Sequence, residues 1–291
     1  MGKAQRHRDL NARARIAQQQ AAMQRAEKRR RLLAVIGSTL VVIVIVAVII
    51  VIKVLNTTKQ AGGGGLPPAV TSQITTVPAS TLSKVGTGGL PAAGLPLKSI
   101  SDTALATSQG KPQFLYIGAE FCPYCAAMRW SMAVALSRFG TFGPLKGIHS
   151  SSIDVYPNTA TLTFYRQHYS SPYLTFTPVE NQTVSKQPLE PVTKEQQAVW
   201  VKYDTIQGSQ GYPFLYFGGR VIITGPLYNP GVLKGLSWSQ IASQLSNPTS
   251  TVAQNINGAA NYITASICKM TKNSPASVCK ATPIPAIEAK I

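Results

Sequence analysis

Histidine and cysteine are scarce in this sequence, with 3 and 4 copies among 291 residues. A structural zinc site takes about four such ligands, usually in closely spaced pairs. Besides Cys122 and Cys125, the candidates outside the N-terminal tail are scattered and none forms a second close pair: His149, His168, Cys268 and Cys279. We therefore expect no metal site, and we expect the two isolated histidines to lie at the surface.

Acidic residues are also scarce, since 10 Asp and Glu face 28 Lys and Arg and give a net charge of +18. Such an excess is typical of nucleic-acid binding, but nearly half of it lies in one place. Residues 1–31 carry ten Lys and Arg against Asp9 and Glu27. We interpret this segment as a basic cytoplasmic tail, with binding to acidic lipid or nucleic acid as the alternative, and we assign no nucleic-acid partner.

Charged residues are absent from residues 32–52, which are rich in Val and Ile. At helical rise this length matches the hydrocarbon core of a bilayer, so we predict one transmembrane helix at residues 32–53. A cleaved signal peptide is the competing interpretation, but its apolar region is usually only about 7–15 residues long. Arg29–Arg31 precede the span and fewer basic residues follow it, which keeps the N-terminus in the cytoplasm. We therefore expect a single-pass cell-membrane protein whose C-terminal part is extracytoplasmic, where disulfides persist.

The composition changes after the predicted span. Residues 54–97 are rich in Gly, Pro, Ser and Thr and predict a flexible linker. Within it, Val70–Val85 has β-prone residues that could add a strand to the domain. Residues 98–291 are predicted to form one extracytoplasmic domain, which includes a C-terminal helical extension at 247–291.

Strand and helix patterns alternate within this domain. Apolar runs between turn residues predict strands, and apolar residues at helical spacing behind capping residues predict helices. The order of these elements fits a layered α/β fold. We predict strands at 114–117, 161–165 and 173–176, a helix from the Cys122–Cys125 motif, a helix at 193–203, a hairpin at 214–217 and 220–224, and a helix opened by a capping box of Ser237 and Gln240.

The motif Cys122-Pro123-Tyr124-Cys125 carries the chemistry. A cysteine at a helix start faces unpaired N–H groups and the positive end of the helix dipole, and both favour its thiolate. Cys125 lies three residues on, on the same helical face, and can therefore resolve a mixed disulfide. Pro123 suits the first helical position. The pattern predicts Cys122 as nucleophile and Cys125 as resolving thiol, with a static disulfide or half of a metal site as alternatives.

With Ala119–Phe121 before it, this motif resembles the active-site turn of the thioredoxin superfamily, in the Cys-Pro-Tyr-Cys form typical of glutaredoxins. Gly211-Tyr212-Pro213, followed by the predicted hairpin, resembles the cis-proline loop of that superfamily. With its short basic tail, its one predicted span, and the elements Arg129-Trp130 and Ser137–Gly140, the chain is also similar to an uncharacterised family of membrane-anchored thioredoxin-like proteins. The resemblance implies a thioredoxin-like fold preceded by one transmembrane helix, a cis Tyr212–Pro213 bond, and substrate docking at Pro213, Tyr212, Pro123 and Tyr124.

Three features depart from the superfamily pattern. The separation between Cys125 and Pro213 is much longer than in a minimal thioredoxin, which implies an insertion at about 150–195. Tyr116 stands where many thioredoxins carry a buried aspartate that helps to deprotonate the resolving cysteine. Glu120 is the nearest carboxylate and is a possible proton relay if partly buried, although we expect it to be solvated at the strand end. No glutathione site is evident, so protein thiols are the expected substrates.

Cys268 and Cys279 follow the last long helical pattern. We predict a structural disulfide between them, which would stabilise the C-terminal region by about 3 kcal/mol through loop closure. A second redox pair that passes electrons to Cys122 and Cys125 is the alternative.

Together these features predict a membrane-anchored, extracytoplasmic thiol-disulfide oxidoreductase that acts on cysteines of secreted or membrane proteins. Its expected partners are those proteins, an unidentified membrane redox partner, and the lipid bilayer through residues 32–53. No cofactor is expected, since the cysteine pair itself stores two electrons. The direction of electron flow stays open. The alternative is a non-enzymatic membrane-anchored interaction or assembly module in which Cys122 and Cys125 form a static disulfide.

Overall fold

The computed structural model describes residues 63–91, 93–102, 104–204 and 210–291, together with a few residues nearer the N-terminus: Met23, Gly37, Leu40 and 42–49. The chain divides into two compact units, Met1–Thr58 and Lys59–Ile291. In the first unit the described residues are helical. Among all described residues, no helix is both long enough and apolar enough to cross a membrane. Apart from Met23, the predicted tail at 1–31 lies outside the described residues, as does most of the predicted span at 32–53.

A mixed sheet forms the centre of the second unit. Strand β4 lies in the middle, where it pairs antiparallel with β10 and parallel with β9. Strand β11 pairs with β10 and with β2, and β3 pairs with the start of β4. The strands of this sheet are β2 (Leu97–Ser99), β3 (Thr107–Ser108), β4 (Lys111–Gly118), β9 (Thr175–Glu180), β10 (Phe214–Phe217) and β11 (Val221–Ile223).

Two small sheets accompany the central one. The first has the order β1-β6-β7, and the second pairs β5 with β8. All of their pairings are antiparallel. Their strands are β1 (Gly64–Gly65), β5 (Thr141–Phe142), β6 (Lys146–His149), β7 (Ala160–Thr163) and β8 (Tyr169–Ser170).

Helices cover both faces of the central sheet. In the described part of the second unit the helices are α1 (Pro68–Thr75), α2 (Ala79–Val85), α3 (Pro123–Leu136), α4 (Lys194–Tyr203), α5 (Trp238–Gln244), α6 (Thr251–Met270), α7 (Ala276–Cys279) and α8 (Ile284–Glu288), with a 3-10 turn at Pro230–Leu233. Side chains alternate across β4, so that Phe114 and Tyr116 pack with α3 and α6 while Leu115 and Ile117 pack with Trp200 of α4. Burial on both faces explains the unbroken apolar run in this strand.

Most sequence-predicted elements of the domain are present, with boundaries shifted by a few residues. The hairpin joins β10 to β11, and Thr193 caps α4 through a capping box with Gln196. Ser237 and Gln240 form the predicted capping box at α5. The structure also contains the predicted disulfide between Cys268 and Cys279, which joins α6 to α7.

The flexible-linker prediction for 54–97 is wrong where the structure describes that segment. Helices α1 and α2 form there, and Val70, Ile74 and Leu82 are buried in the main core. Val70–Val85 is thus helical rather than an added strand. Glycine here serves close packing: a Cβ on Gly258 of α6 would lie 2.5 Å from the Thr87 carbonyl oxygen.

One further boundary prediction needs correction. The segment 150–195 is not a simple insertion, because it supplies β9, the parallel neighbour of the central strand β4. The C-terminal segment 247–291 is helical, and Val252, Ile256 and Ile263 of α6 lie in the main core. In α6 these side chains recur at helical spacing and bury one face against α3, where Ser131 Oγ donates a hydrogen bond to the Ile256 carbonyl.

Candidate active site

Cys122 and Cys125 lie at the start of α3, directly after the carboxyl end of β4. Cys122 is the N-cap residue, and its Sγ accepts a hydrogen bond from the Cys125 N–H at 3.2 Å. Pro123 occupies the first helical turn, where its missing N–H leaves no bond unmade. Both cysteines are free thiols. Cys122 is 5% exposed and Cys125 is 0% exposed, so both residues are buried and Cys122 is the less enclosed of the two.

The two sulfurs have opposite ionisation tendencies. A hydrogen bond from the Cys125 thiol lowers the pKa of Cys122 below its usual value, with further contributions from the Cys125 backbone N–H and the Arg129 charge against the opposing effect of burial. Complete burial raises the pKa of Cys125 well above that of an ordinary thiol. The geometry therefore favours a thiolate on Cys122 and a protonated Cys125, which is the arrangement a nucleophile and a resolving thiol require.

The loop before β10 packs against Cys122. The Tyr212–Pro213 bond is cis, as the resemblance implied, and the Tyr212 carbonyl oxygen lies 4.0 Å from Cys122 Sγ. Two bonds hold this loop: Tyr212 donates its hydroxyl to Asn181 Oδ1 at 2.6 Å, and the Gly211 N–H donates to Asp204 Oδ2 at 2.9 Å. The loop thus places a backbone acceptor beside the more accessible sulfur.

Glu120 is buried, so the expectation of a solvated carboxylate is wrong. Its Oε1 accepts a hydrogen bond from Thr163 Oγ1 at 2.7 Å, and its N–H donates to the Gln182 carbonyl. Thr163 lies in β7, which packs against α3, so this strand helps to enclose Glu120. The role of proton relay predicted for Glu120 required that the residue be at least partly buried, and it is.

A buried ion pair, Arg129 with Glu180, lies behind the cysteines. Arg129 Nε donates to Glu180 Oε1 at 2.8 Å and Arg129 Nη2 donates to Glu180 Oε2 at 2.7 Å, and both side chains are fully buried. Neither residue was among the site residues predicted from the sequence. The available signal was a single charge in each of two apolar segments, since Arg129 stands alone in α3 and Glu180 ends β9.

A short loop, residues 151–158, borders the site. The Ser151 N–H donates to the Phe121 carbonyl at 2.9 Å, and the Tyr156 ring meets the edge of Tyr124 at 6.1 Å between centroids. The loop exposes two large apolar side chains, Ile153 at 87% and Val155 at 70%. In the second unit only Val201, at 44%, joins them among large exposed apolar residues that the structure describes. We call these two side chains and the loop that carries them the apolar rim.

The other candidate residues lie apart from this chemistry. The His149 ring packs against Trp238 in a tilted arrangement, at 4.4 Å between ring centroids, and Cys268 is held in its disulfide. Within the described parts of the chain, no three His, Cys, Asp or Glu side chains gather in an arrangement that could hold a metal ion.

These features define a mixed α/β domain with a dithiol at a helix start. Residues 98–269 match the family described as Domain of unknown function (DUF929). Since that span covers more than half of the 291 residues, the chain belongs to this family. The match begins in β2 and ends in α6, and thus includes both site cysteines. Comparison with curated proteins and with solved structures gave no match.

Proposed function

We propose that this protein is a thiol-disulfide oxidoreductase with a thioredoxin-like fold that acts on protein cysteines. The observation that carries the proposal is the Cys122 sulfur at the start of α3, with its lowered pKa and with the buried Cys125 thiol in hydrogen-bond contact. The Tyr212 carbonyl beside Cys122 supports it, because a substrate backbone docking there would bring its sulfur to the nucleophile. Pro213, Pro123 and Tyr124 complete the proposed docking surface.

The proposed reaction exchanges one disulfide for another. The Cys122 thiolate attacks one sulfur of a substrate disulfide, the substrate S–S bond breaks, and the second substrate sulfur leaves as a thiolate. Cys125 then attacks Cys122 Sγ, which forms the Cys122–Cys125 disulfide and releases the first substrate sulfur. The Cys125 proton ends on a released thiolate, with Glu120 as the proposed relay. The substrate gains two electrons and the pair loses two; the reverse steps oxidise a substrate dithiol.

The proposed setting is the outer face of a cell membrane. There, residues 32–53 anchor the chain, secreted or membrane proteins supply the substrate cysteines, and a membrane redox partner returns the pair to its starting state. The uncharged run at 32–52 and the basic residues before it support this topology.

The function can be tested by turnover. Full-length reduced protein, supplied with excess dithiothreitol, should accelerate reduction of a protein that contains one disulfide, and Cys122→Ser should return the rate to that of dithiothreitol alone. Ser266→Ala, which removes a buried hydroxyl bonded only within α6, serves as the matched control and should keep the wild-type rate. Equal rates for wild type and Cys122→Ser would contradict the proposal.

The burial of both sulfurs favours one alternative, a membrane-anchored interaction or assembly module with a static Cys122–Cys125 disulfide. In that case the pair would resist reduction at potentials at which catalytic pairs turn over.

The apolar rim should contribute to protein substrates but not to small ones. Replacing Ile153 and Val155 by Ser removes apolar area that a polypeptide beside Cys122 would cover, and a loss of about 1.4 kcal/mol lowers kcat/KM about tenfold. We expect this fall with a protein disulfide and no change with a small soluble disulfide. Val201→Ser is the matched control. Equal losses on both substrates would show that the rim acts on the cysteines themselves.

A further inference from the structure

The Arg129–Glu180 ion pair is joined directly to the turn that carries the nucleophile. Arg129 Nη2 donates to the Ala119 carbonyl at 2.7 Å, and the Cys122 N–H donates to the same oxygen at 3.2 Å. Arg129 also follows Cys125 by one helical turn on α3, so that the two side chains share a face of the helix. The ion pair is therefore placed to act on both sulfurs.

The burial of this pair argues against a role in stability alone. Two charges removed from water lose their hydration, and an apolar pair of similar volume often stabilises a fold equally well or better. Although burial by itself disfavours the charged form, the Glu180 carboxylate keeps the pKa of Arg129 well above its usual value. The guanidinium thus carries a permanent positive charge in a region of low dielectric constant, where charge interactions are strong.

Other ionisable groups surround the ion pair, but none of them adds a second positive charge beside the Arg129 guanidinium. Burial raises the pKa of Tyr116 on β4 well above 10, so its hydroxyl stays neutral. Glu190 Oε2 accepts the Glu180 N–H at 2.8 Å, and burial raises the pKa of Glu190, whose charge also interacts with Arg166. Glu120 lies beyond Ala119 and is bonded by Thr163. Arg129 is the one buried cation among these groups that the structure describes.

We propose that the Arg129–Glu180 pair sets how readily Cys122 and Cys125 ionise, with Arg129 favouring the thiolates and Glu180 limiting that effect. The proposal rests on the thiol chemistry put forward above, and it makes both partners positioning residues. The direction is consistent with the Arg129 charge, which contributes to the lowered pKa of Cys122 and opposes the burial that raises the pKa of Cys125.

The test is the pH dependence of Cys122 alkylation by iodoacetamide in the reduced full-length protein. Glu180→Gln removes the negative charge that offsets Arg129, so the pH midpoint of Cys122 alkylation should fall by about one unit. At a pH below the midpoints of both proteins, the variant should therefore be alkylated about tenfold faster than wild type. The double variant Arg129→Met with Glu180→Met removes the cation, so its midpoint should rise. Glu195→Gln, at an exposed carboxylate, removes the same charge elsewhere and should leave the midpoint unchanged.

A purely structural pair predicts a different pattern. Loosened packing would move both variants in the same direction, towards an ordinary thiol, and that result would overturn the proposal. If Glu180→Gln does not fold, Arg129→Lys replaces it in the test. Because Arg129→Lys keeps the positive charge, its alkylation midpoint should stay close to that of wild type, while the midpoint of the double variant shifts. Equal shifts in Arg129→Lys and the double variant would overturn the proposal. Alkylation needs no turnover, so these results are separate from failure of the wild-type protein to exchange disulfides.

Discussion

Cys125→Ser protein is expected to accumulate a covalent complex with its substrates. Cys122 keeps its place at the helix start and still attacks, but the mixed disulfide has no second sulfur within reach to resolve it. Reduced variant protein, mixed with a protein that contains one disulfide, should yield a 1:1 adduct in non-reducing gels and intact mass spectra. Wild-type protein under the same conditions should yield almost none.

The control for this trap is the nucleophile itself. Cys122→Ser in the same background should abolish the adduct, because buried Cys268 and Cys279 are occupied by their own disulfide. Adduct formation that persists without Cys122, or that maps by mass spectrometry to another cysteine, would contradict the assigned roles.

Arg129→Met should have the largest effect on stability. The change leaves the Glu180 carboxylate fully buried without its cation, and breaking such a pair from one side costs about 3–5 kcal/mol. Because small domains are stable by only about 5–15 kcal/mol, much of the free energy of unfolding would be lost. Urea denaturation followed by circular dichroism measures the difference.

Two comparisons make that result specific. Arg166→Met removes an exposed arginine that lies over the Tyr165 ring, and it should cost less than about 1 kcal/mol. The double variant Arg129→Met with Glu180→Met should be more stable than Arg129→Met, since no buried charge is left unpaired. A single variant as stable as wild type would show that the pair is not buried as described.

The central strand, the helix after the cysteines and the hairpin could be predicted from sequence because each has a local signal. The apolar run in β4, the Cys122-Pro123 start of α3, and the turn at Gly218-Gly219 are complete within a few residues, as is the capping box at Ser237. Such signals depend on backbone geometry that the neighbouring residues alone determine.

Helices α1 and α2 could not be found in the same way. Glycine and proline around them dominate the composition, and the apolar side chains of Val70 and Ile74 are few. Their burial depends on contacts with distant parts of the chain, such as the hydrogen bonds from Asn261 to the carbonyls of Leu82 and Gly86. Helices that are buried through contacts with distant segments leave little signal in their own sequence.

The residues of the candidate site also differ in whether a local sequence signal reveals them. Cys122 and Cys125 form a local motif, so their roles could be predicted. Arg129 and Glu180 are separated by 51 positions, and only the parallel pairing of β9 with β4 brings them together. Glu120 was misjudged for the same reason, because the strand that encloses it follows much later in the sequence.

The most direct measurement is a redox titration of the full-length protein. Samples equilibrated in dithiothreitol or glutathione buffers are alkylated, and mass spectrometry then gives the oxidised fraction of each cysteine pair. We predict a two-electron transition of Cys122 and Cys125 at a potential above about −300 mV, while Cys268 and Cys279 stay oxidised there. A Cys122–Cys125 pair that remains bridged below that potential, or that never forms a disulfide, would contradict the proposed function.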